Sequence, residues 1–318
     1  MSKTLSLIQP VSPILAVANA GNSTVAIYTL STIANSSGPV ITLETGSKTG
    51  PFALTFDTQG DLWIGSGRCD SGTLEEFAPP FTANESPELT VSGLHLAFDA
   101  SGNLWVATYC SFTSASFSSS IEEFNPATLK NGSTSPTPTI SLNLPGAVPS
   151  GGTYVSGLAL DSSGNLWASG FELQNASNMD VTTPELLEYI SAAGIPKTFP
   201  AYSVYLVPSL LGSSPAFSVS GTLYAVLASP LDLCTPPSCP LKTLTQVGGY
   251  SLSTPLSLAF DASGDLWIAD PRGVQELTTS QLESSSFTPS TVLTNGQGAI
   301  SDPDALAIWP IPQGLPLY

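Results

Sequence analysis

Lysine and arginine together account for only 7 of the 318 residues, against 24 Asp and Glu, and there is a single His. A chain with a net charge of −17 has no positive face for a phosphate backbone or an anionic lipid surface, which sets nucleic-acid and membrane-surface binding aside. Charged residues of either sign make up just 10%, so Ser, Thr, Asn, Gly and Pro must cover most of the surface. That composition is common among secreted bacterial β-proteins. No apolar run approaches the ~18–20 residues of a membrane-spanning helix. Nothing reads as a long helix, or as a linker between two compositions. One stretch, Lys3 followed by Val11-Ser-Pro-Ile-Leu-Ala-Val-Ala-Asn-Ala20, has the outline of a signal peptide. Pro10 and Pro13 interrupt its apolar part, and 14–18 is needed as a strand, so it reads as mature chain with any signal already removed.

What the chain does have is a repeat. Asp57-Thr-Gln-Gly-Asp-Leu-Trp63 returns as Asp99-Ala-Ser-Gly-Asn-Leu-Trp105, Asp161-Ser-Ser-Gly-Asn-Leu-Trp167 and Asp261-Ala-Ser-Gly-Asp-Leu-Trp267. Each copy sits between two apolar runs of strand length. The Asp is suited to accept bonds from backbone N–H groups ahead of it, and the Gly supplies the positive φ at which the chain reverses. The Trp is large enough to fill the gap between one sheet and the next. A third strand follows every copy, at 73–77, 120–124, 186–189 and 273–277, and a less regular fourth, such as 137–142. Four antiparallel strands, repeated, make an all-β fold: a β-propeller.

Two weaker copies complete the count. In 216–226, Ser218 takes the Asp position and Tyr224 the Trp position. The sixth copy is split, with 303–308 as its first strand and 14–18 and 24–28 as its second and third. Pairing the two ends closes the ring and removes its exposed edges. The expectation is one domain over 1–318, a six-bladed propeller. Its blades are 303–318 with 1–50, then 51–92, 93–155, 156–213, 214–254 and 255–302.

The run Pro-x-x-Leu-Ala-Phe-Asp-x-x-Gly-x-Leu-Trp-Ile-Ala-Asp at 255–270 resembles the NHL-repeat propellers and their relatives, the SMP-30/gluconolactonase and virginiamycin B lyase groups. The resemblance covers nearly the whole chain. For the gluconolactonase group it implies a divalent cation on the propeller axis, held by Glu, Asn and Asp of several inner strands. That group's Asn-Gly-Leu-Ala-Trp corresponds here to Asp304-Ala-Leu-Ala-Ile308, while the other inner strands offer Phe52, Leu94, Ser156 and Leu256. Those four do not make the oxygen cage a hard cation wants. For the lyase group the resemblance implies a channel His with a metal, and His95 is the sole candidate.

The four Cys fall into pairs. Cys234 and Cys239 end a tight loop, and Cys69 and Cys110 follow the Trp of neighbouring blades at similar distances. Neither pair has metal-ligand spacing, so both read as disulfides and the compartment as oxidising: extracellular or periplasmic. The five Asn-x-Ser/Thr sites, at Asn22, Asn35, Asn84, Asn131 and Asn175, would take glycans only in a eukaryotic secretory host.

Loops joining strands two and three share one face of a propeller with the loops between blades, called the top here. The sequence places long ones at 108–119, 169–184 and 228–240, which would raise a wall carrying Tyr109, Phe112, Phe117, Phe171, Glu172, Met179 and Asp180. His95 and Asp304 stand near the top of inner strands, Asp270 and Asn19 end second strands, and Arg68 and Arg272 follow in short loops. Two Arg in equivalent loops suit an anion or carboxylate. A plainer reading pairs them with Asp70 and Asp270, and makes His95 a hydrogen-bonded channel filler. The repeated Glu at 76, 123, 188 and 276 lies on the third strand, away from the axis, and reads as structural, as do the turn Asp residues.

Three functions follow. The first is a non-catalytic extracytoplasmic module binding a small molecule, glycan or protein at the top face, or assembling with its own copies, through His95, Asp304, Arg68, Arg272, Tyr109 and Asp270. The second is a metal-dependent hydrolase or lactonase, and the third a lyase with His95 as base. The residues themselves call for no cofactor. The axial cation is what the resemblance adds.

Overall fold

The computed structural model describes residues 12–33, 38–45, 50–67, 72–109, 119–129, 136–143, 152–175, 180–189, 202–206, 214–226, 231–234, 242–247, 256–284, 286–296 and 299–311. For some strand residues, Tyr109, Cys234, 171–175 and 180–189 among them, it describes the backbone alone. Those stretches hold almost all of the apolar runs read above. They form an all-β structure with two helices of a single turn, Leu30–Ile33 and Thr279–Glu283.

The repeated turn works as its composition dictates. Asp161 Oδ1 accepts the N–H groups of Ser163 and Asn165, both at 2.9 Å, and Oδ2 accepts Asn165 Nδ2 at 2.8 Å. The Trp167 indole donates to the same Oδ2 at 3.3 Å. Asp99 and Asp261 are bound in the same way by Trp105 at 3.4 Å and Trp267 at 3.0 Å. The turn Gly holds φ near +80° in these copies, +79° at Gly102 and +81° at Gly164 and Gly264, where any side chain is strained. In the degenerate copy Ser218 Oγ accepts Thr222 N–H at 3.1 Å, so a hydroxyl fills the carboxylate's place.

Among the described residues the strands make six four-stranded antiparallel sheets and one two-stranded parallel pair. Each sheet buries both faces, with a repeating contact between neighbours. Trp63 meets Phe98 of the next sheet edge-on at 5.7 Å, Trp167 meets Phe217 at 5.9 Å, and Tyr224 meets Phe260 at 5.2 Å. Such pairs add about 0.5–1.5 kcal/mol each beyond the area they bury. Trp105 and Trp267 pack instead on Leu160 and Ile308 in continuous apolar clusters. This is a β-propeller.

The ends of the chain share a sheet, as the sequence led us to expect. Pro303–Trp309 pairs antiparallel with Ile14–Asn19, which pairs with Thr24–Thr29 and then Ile41–Glu44. In this split sheet Ala16 stands where the others carry Trp. Trp309, in the turn-Asp position, swings in to face Phe56 at 6.1 Å and supplies the missing ring.

Two expectations are corrected. The loop expected over 169–184 is mostly strand: Leu166–Asn175 pairs with Asp180–Tyr189, and Gly152–Leu160 starts early to follow it. The fourth sheet therefore projects beyond its neighbours at the top. The loop expected over 228–240 contains a strand, Leu231–Cys234, paired directly with Leu223–Val226. Cys234 thus ends a third strand rather than standing in a loop between strands two and three. Thr245–Gln246 also pairs in parallel with Ser286–Phe287, an unanticipated clasp between the fifth and sixth sheets.

One residue in the core is out of place. Gln275 is completely buried, and among the described residues neither atom of its amide has a hydrogen-bond partner. An unsatisfied buried amide costs free energy that an apolar side chain of similar size does not. Gln275→Met is therefore expected to raise stability by about 1–2 kcal/mol. Asp161→Ala, which strips four donors of their acceptor, is expected to lower it by about 2–4 kcal/mol. Urea unfolding checks both, and a destabilised Gln275→Met would show that the amide is satisfied after all.

Candidate functional site

Every propeller offers a site where its inner strands converge, and here the strands carry a shared irregularity. Phe52, Ser156 and Asp304 are each skipped in the pairing with the second strand, a one-residue bulge at the same level of three sheets. Leu94 and Leu256 fill the same place on two more, donating N–H to Ala107 and Ala269 at 3.1 and 2.9 Å. Bulges re-aim side chains, and this tier forms the rim of the axial opening.

One residue further down each strand come Ala53, His95, Gly157, Ser214, Ser257 and Ala305, and then Leu54, Leu96, Leu158, Pro215, Leu258 and Leu306. Members of these two tiers line a cavity of about 20 Å³, room for a single water. Leu258 and Leu306 also roof a second cavity of about 30 Å³, lined only by apolar residues including Phe56, Phe260, Ile308 and Ile311. Leucines thus fill the middle of the axis, and Phe56, Phe260, Ile308 and Ile311 line the apolar cavity beneath them.

His95 opens its strand and is buried, its ring tilted against Phe52 with centroids 5.4 Å apart. Burial pushes its pKa down to about 4, so the imidazole is neutral at pH 7. Ser257, at the equivalent place, accepts the backbone N–H of Leu306 at 3.1 Å and ties two inner strands together. Asp304 is half-buried on the rim, and burial, reinforced by the nearby Asp302 charge, pushes its pKa up to about 6.

Beside the rim, Asn19 is fully buried and its Oδ1 accepts Ser301 N–H at 3.0 Å. Asp270 is fully buried too, and accepts Arg272 N–H at 2.9 Å, which fixes the short turn between strands two and three. Tyr109 ends the strand Leu104–Tyr109 at the top. Arg68, Cys69, Cys110 and Cys239 lie outside the described residues, and with them both expected disulfides. Phe52, Ser214 and Ser257 belong to the opening although the sequence reading gave them no role. The signal was their alignment with Asp304 and His95, tier by tier.

The opposite face holds a grouping that the sequence reading had dismissed. Glu76 lies across from Trp63 and Glu276 across from Trp267, which brings each to the turn its Trp follows. Asp57, Asp61 and Glu76 gather there, and likewise Asp261, Asp265 and Glu276, with carboxylate oxygens within 4.8 Å of one another. Each triad can offer three oxygens to a hard cation. In the two copies that carry Asn instead, Asn103 and Asn165 donate to the turn Asp at 2.8 Å, so a hydrogen bond replaces the like charge of the Asp copies. The axial cation implied by the resemblance fits poorly by comparison, since the rim supplies Asp304 among Phe52, Leu94, Ser156 and Leu256.

No protein-family model matches this chain, and no curated protein matches it in sequence. Solved structures do match in fold. A protein of unknown function from Bacteroides caccae aligns over 93% of this chain and 98% of its own, with TM-score 0.61 and 13% identity. A chain of the nidogen/laminin complex aligns over the same shares, with TM-score 0.59 and 12% identity. A virginiamycin B lyase from Staphylococcus aureus, solved with quinupristin, aligns over 82% of this chain and 75% of its own, with TM-score 0.48 and 14% identity. At these identities the shared feature is the propeller.

The carboxylate triads make stability depend on pH. Burial, then repulsion from Asp61, Asp57 and Glu88, raises Glu76 to about 7. A carboxyl group raised on folding stabilises fully below its unfolded value, and that contribution is lost as pH climbs through the folded value. Melting temperature is therefore expected to fall as pH rises from 4.5 to 7. Asp61→Asn, which installs the amide of the Asn copies, is expected to flatten the fall. A wild-type melting temperature that rises over this interval would contradict the assignment.

Proposed function

We propose that this chain is a six-bladed, extracytoplasmic β-propeller that binds a ligand, glycan or protein partner at the mouth of its top face and performs no chemistry of its own. One observation carries the reading: leucines fill the middle of the axis, with the rim tier of the inner strands above them. There, aromatic, polar and apolar side chains from successive sheets meet at one level. Pockets of that mixed character are the usual form of a recognition site. The six four-stranded sheets, the sharing of one sheet by both chain ends, and the pairing of the Cys residues in sequence support the blade count and the compartment.

The hydrolase reading asks for several oxygen ligands around the axis, and the rim answers with Phe52, Leu94 and Leu256. The lyase reading asks for a working base. His95 is neutral but buried against Phe52, and its lowered pKa makes it a weak one. Binding is the function this opening serves best.

The test is a thermal-shift screen of metabolites, oligosaccharides and peptides. Leu256→Arg, which places a charge on the rim, is expected to abolish the shift caused by any hit. Thr58→Arg, on an exposed bottom turn, is expected to leave it intact. A hit lost with Thr58→Arg and kept with Leu256→Arg would move the binding face to the bottom. The compartment is checked separately. Protein from its native source, denatured without reductant, should react with no maleimide at its four Cys. Freely reactive thiols would count against an oxidising location.

A further inference from the structure

Of the four repeated turns, the one at Asp57 breaks a rule that the others keep. In the other three, Oδ2 of the turn Asp accepts the indole N–H of the Trp six residues on, at 3.0–3.4 Å. Trp63 is 1% exposed, yet among the described residues its Nε1 has no hydrogen-bond partner. Burial raises the Asp57 pKa, and the Trp63 indole is among the groups near enough to oppose that shift, but the bond is not closed. The N–H groups of Gln59 and Asp61, at 2.8 and 3.0 Å, both go to Oδ1 of Asp57. A buried donor aimed at a carboxylate and left unpaired calls for a reason.

The reason lies in the company this carboxylate keeps. Oxygens of Asp57, Asp61 and Glu76 lie within 4.8 Å of one another, and the charges acting on Glu76 are Asp61, Asp57 and Glu88, all of its own sign. The matching cluster in the sixth sheet, Asp261, Asp265 and Glu276, is held by donors instead. There Trp267 donates to Asp261 at 3.0 Å, and Thr279 gives Asp265 its N–H at 2.7 Å and its hydroxyl at 3.1 Å. The two clusters share a composition and differ in how their charge is met.

Size narrows the choice of counter-charge. Two ligands on opposite sides of a Ca²⁺, each at 2.3–2.6 Å, stand about 4.6–5.2 Å apart, whereas Mg²⁺ spans only about 4.0–4.2 Å. Asp61 and Glu76 are half-buried, so water has access to complete the six to eight oxygens that Ca²⁺ takes. We infer that the turn at Asp57 is a Ca²⁺ site whose protein ligands are Asp57, Asp61 and Glu76, on the face opposite the mouth. The ion ties the turn between the first two strands of the second sheet to the third strand. The reading of the top face is not needed for this site, and the two stand or fall separately.

The test is calorimetric titration of the whole chain, stripped with EDTA and desalted, with CaCl₂ at pH 8 and with MgCl₂ in parallel. One Ca²⁺ per chain is expected, with Mg²⁺ at least tenfold weaker. Asp61→Asn, which installs the residue of the Asn copies, and Glu76→Gln should each weaken Ca²⁺ at least tenfold. Glu276→Gln, the same change in the sixth sheet, should alter it less than twofold. Ca²⁺ should raise the melting temperature of the wild type and leave that of Glu76→Gln unmoved. Without Ca²⁺ both second-sheet variants should melt no lower than wild type, which separates lost binding from lost fold. Absence of Ca²⁺ binding, or binding unchanged in Asp61→Asn and Glu76→Gln, overturns the inference. Loss of binding in Glu276→Gln alone assigns the ion to the wrong turn and overturns it too, and Mg²⁺ binding as tightly as Ca²⁺ overturns the choice of ion.

Discussion

The structure depends on a Trp that does two jobs. In Trp105, Trp167 and Trp267 the indole nitrogen reaches back six residues to the carboxylate that shapes the hairpin turn, and the ring lies against the core of the next sheet. The first contact fixes the register of the two innermost strands, and the second fixes the spacing between sheets. A sheet that lost either would present an apolar face without a partner. Where the sequence drops the Trp, the protein replaces it: Tyr224 stands in within the fifth sheet, and Trp309 reaches over from the opposite strand in the split one.

The tiers of the inner strands follow from this frame. Because three sheets place a bulge at the same height and two more set a leucine there, chemically different residues on different sheets become members of one rim. Asp304 and Phe52 are 252 positions apart in sequence and hold the same place on adjacent inner strands. Below the rim, leucines repeat with the same regularity and close the channel. The repeat thus builds both the opening and its floor, and function is left to the residues that depart from it.

Much of the fold was legible because the turn signature is made of residues with narrow conformational roles: an Asp that caps, a Gly that reverses, a Trp that packs. The split sheet was legible for the same reason, since its strands fit the template once the two ends are joined. The third strand at 231–234 was hidden, because Leu-Asp-Leu-Cys offers only two alternations before a Pro-rich stretch. The extended hairpin over 166–189 was hidden by Gly170, Asn175 and Pro184, residues that favour loops when judged alone. The acidic triads were missed because their Glu comes from another strand. The register that sets Glu76 opposite Trp63 was deducible, but it had not been combined with the position of the turn.

The seam of the ring has a consequence for how the protein is made. The strand at Ile14–Asn19 is made long before its inner partner, Pro303–Trp309. Until that partner is made the nascent molecule is an open arc with a bare hydrogen-bonding edge, the kind of edge that templates misassembly. Closure also requires contacts of very long sequence separation, which fold slowly. A chain built this way has reason to keep its early strands shielded by a holdase until the last one arrives.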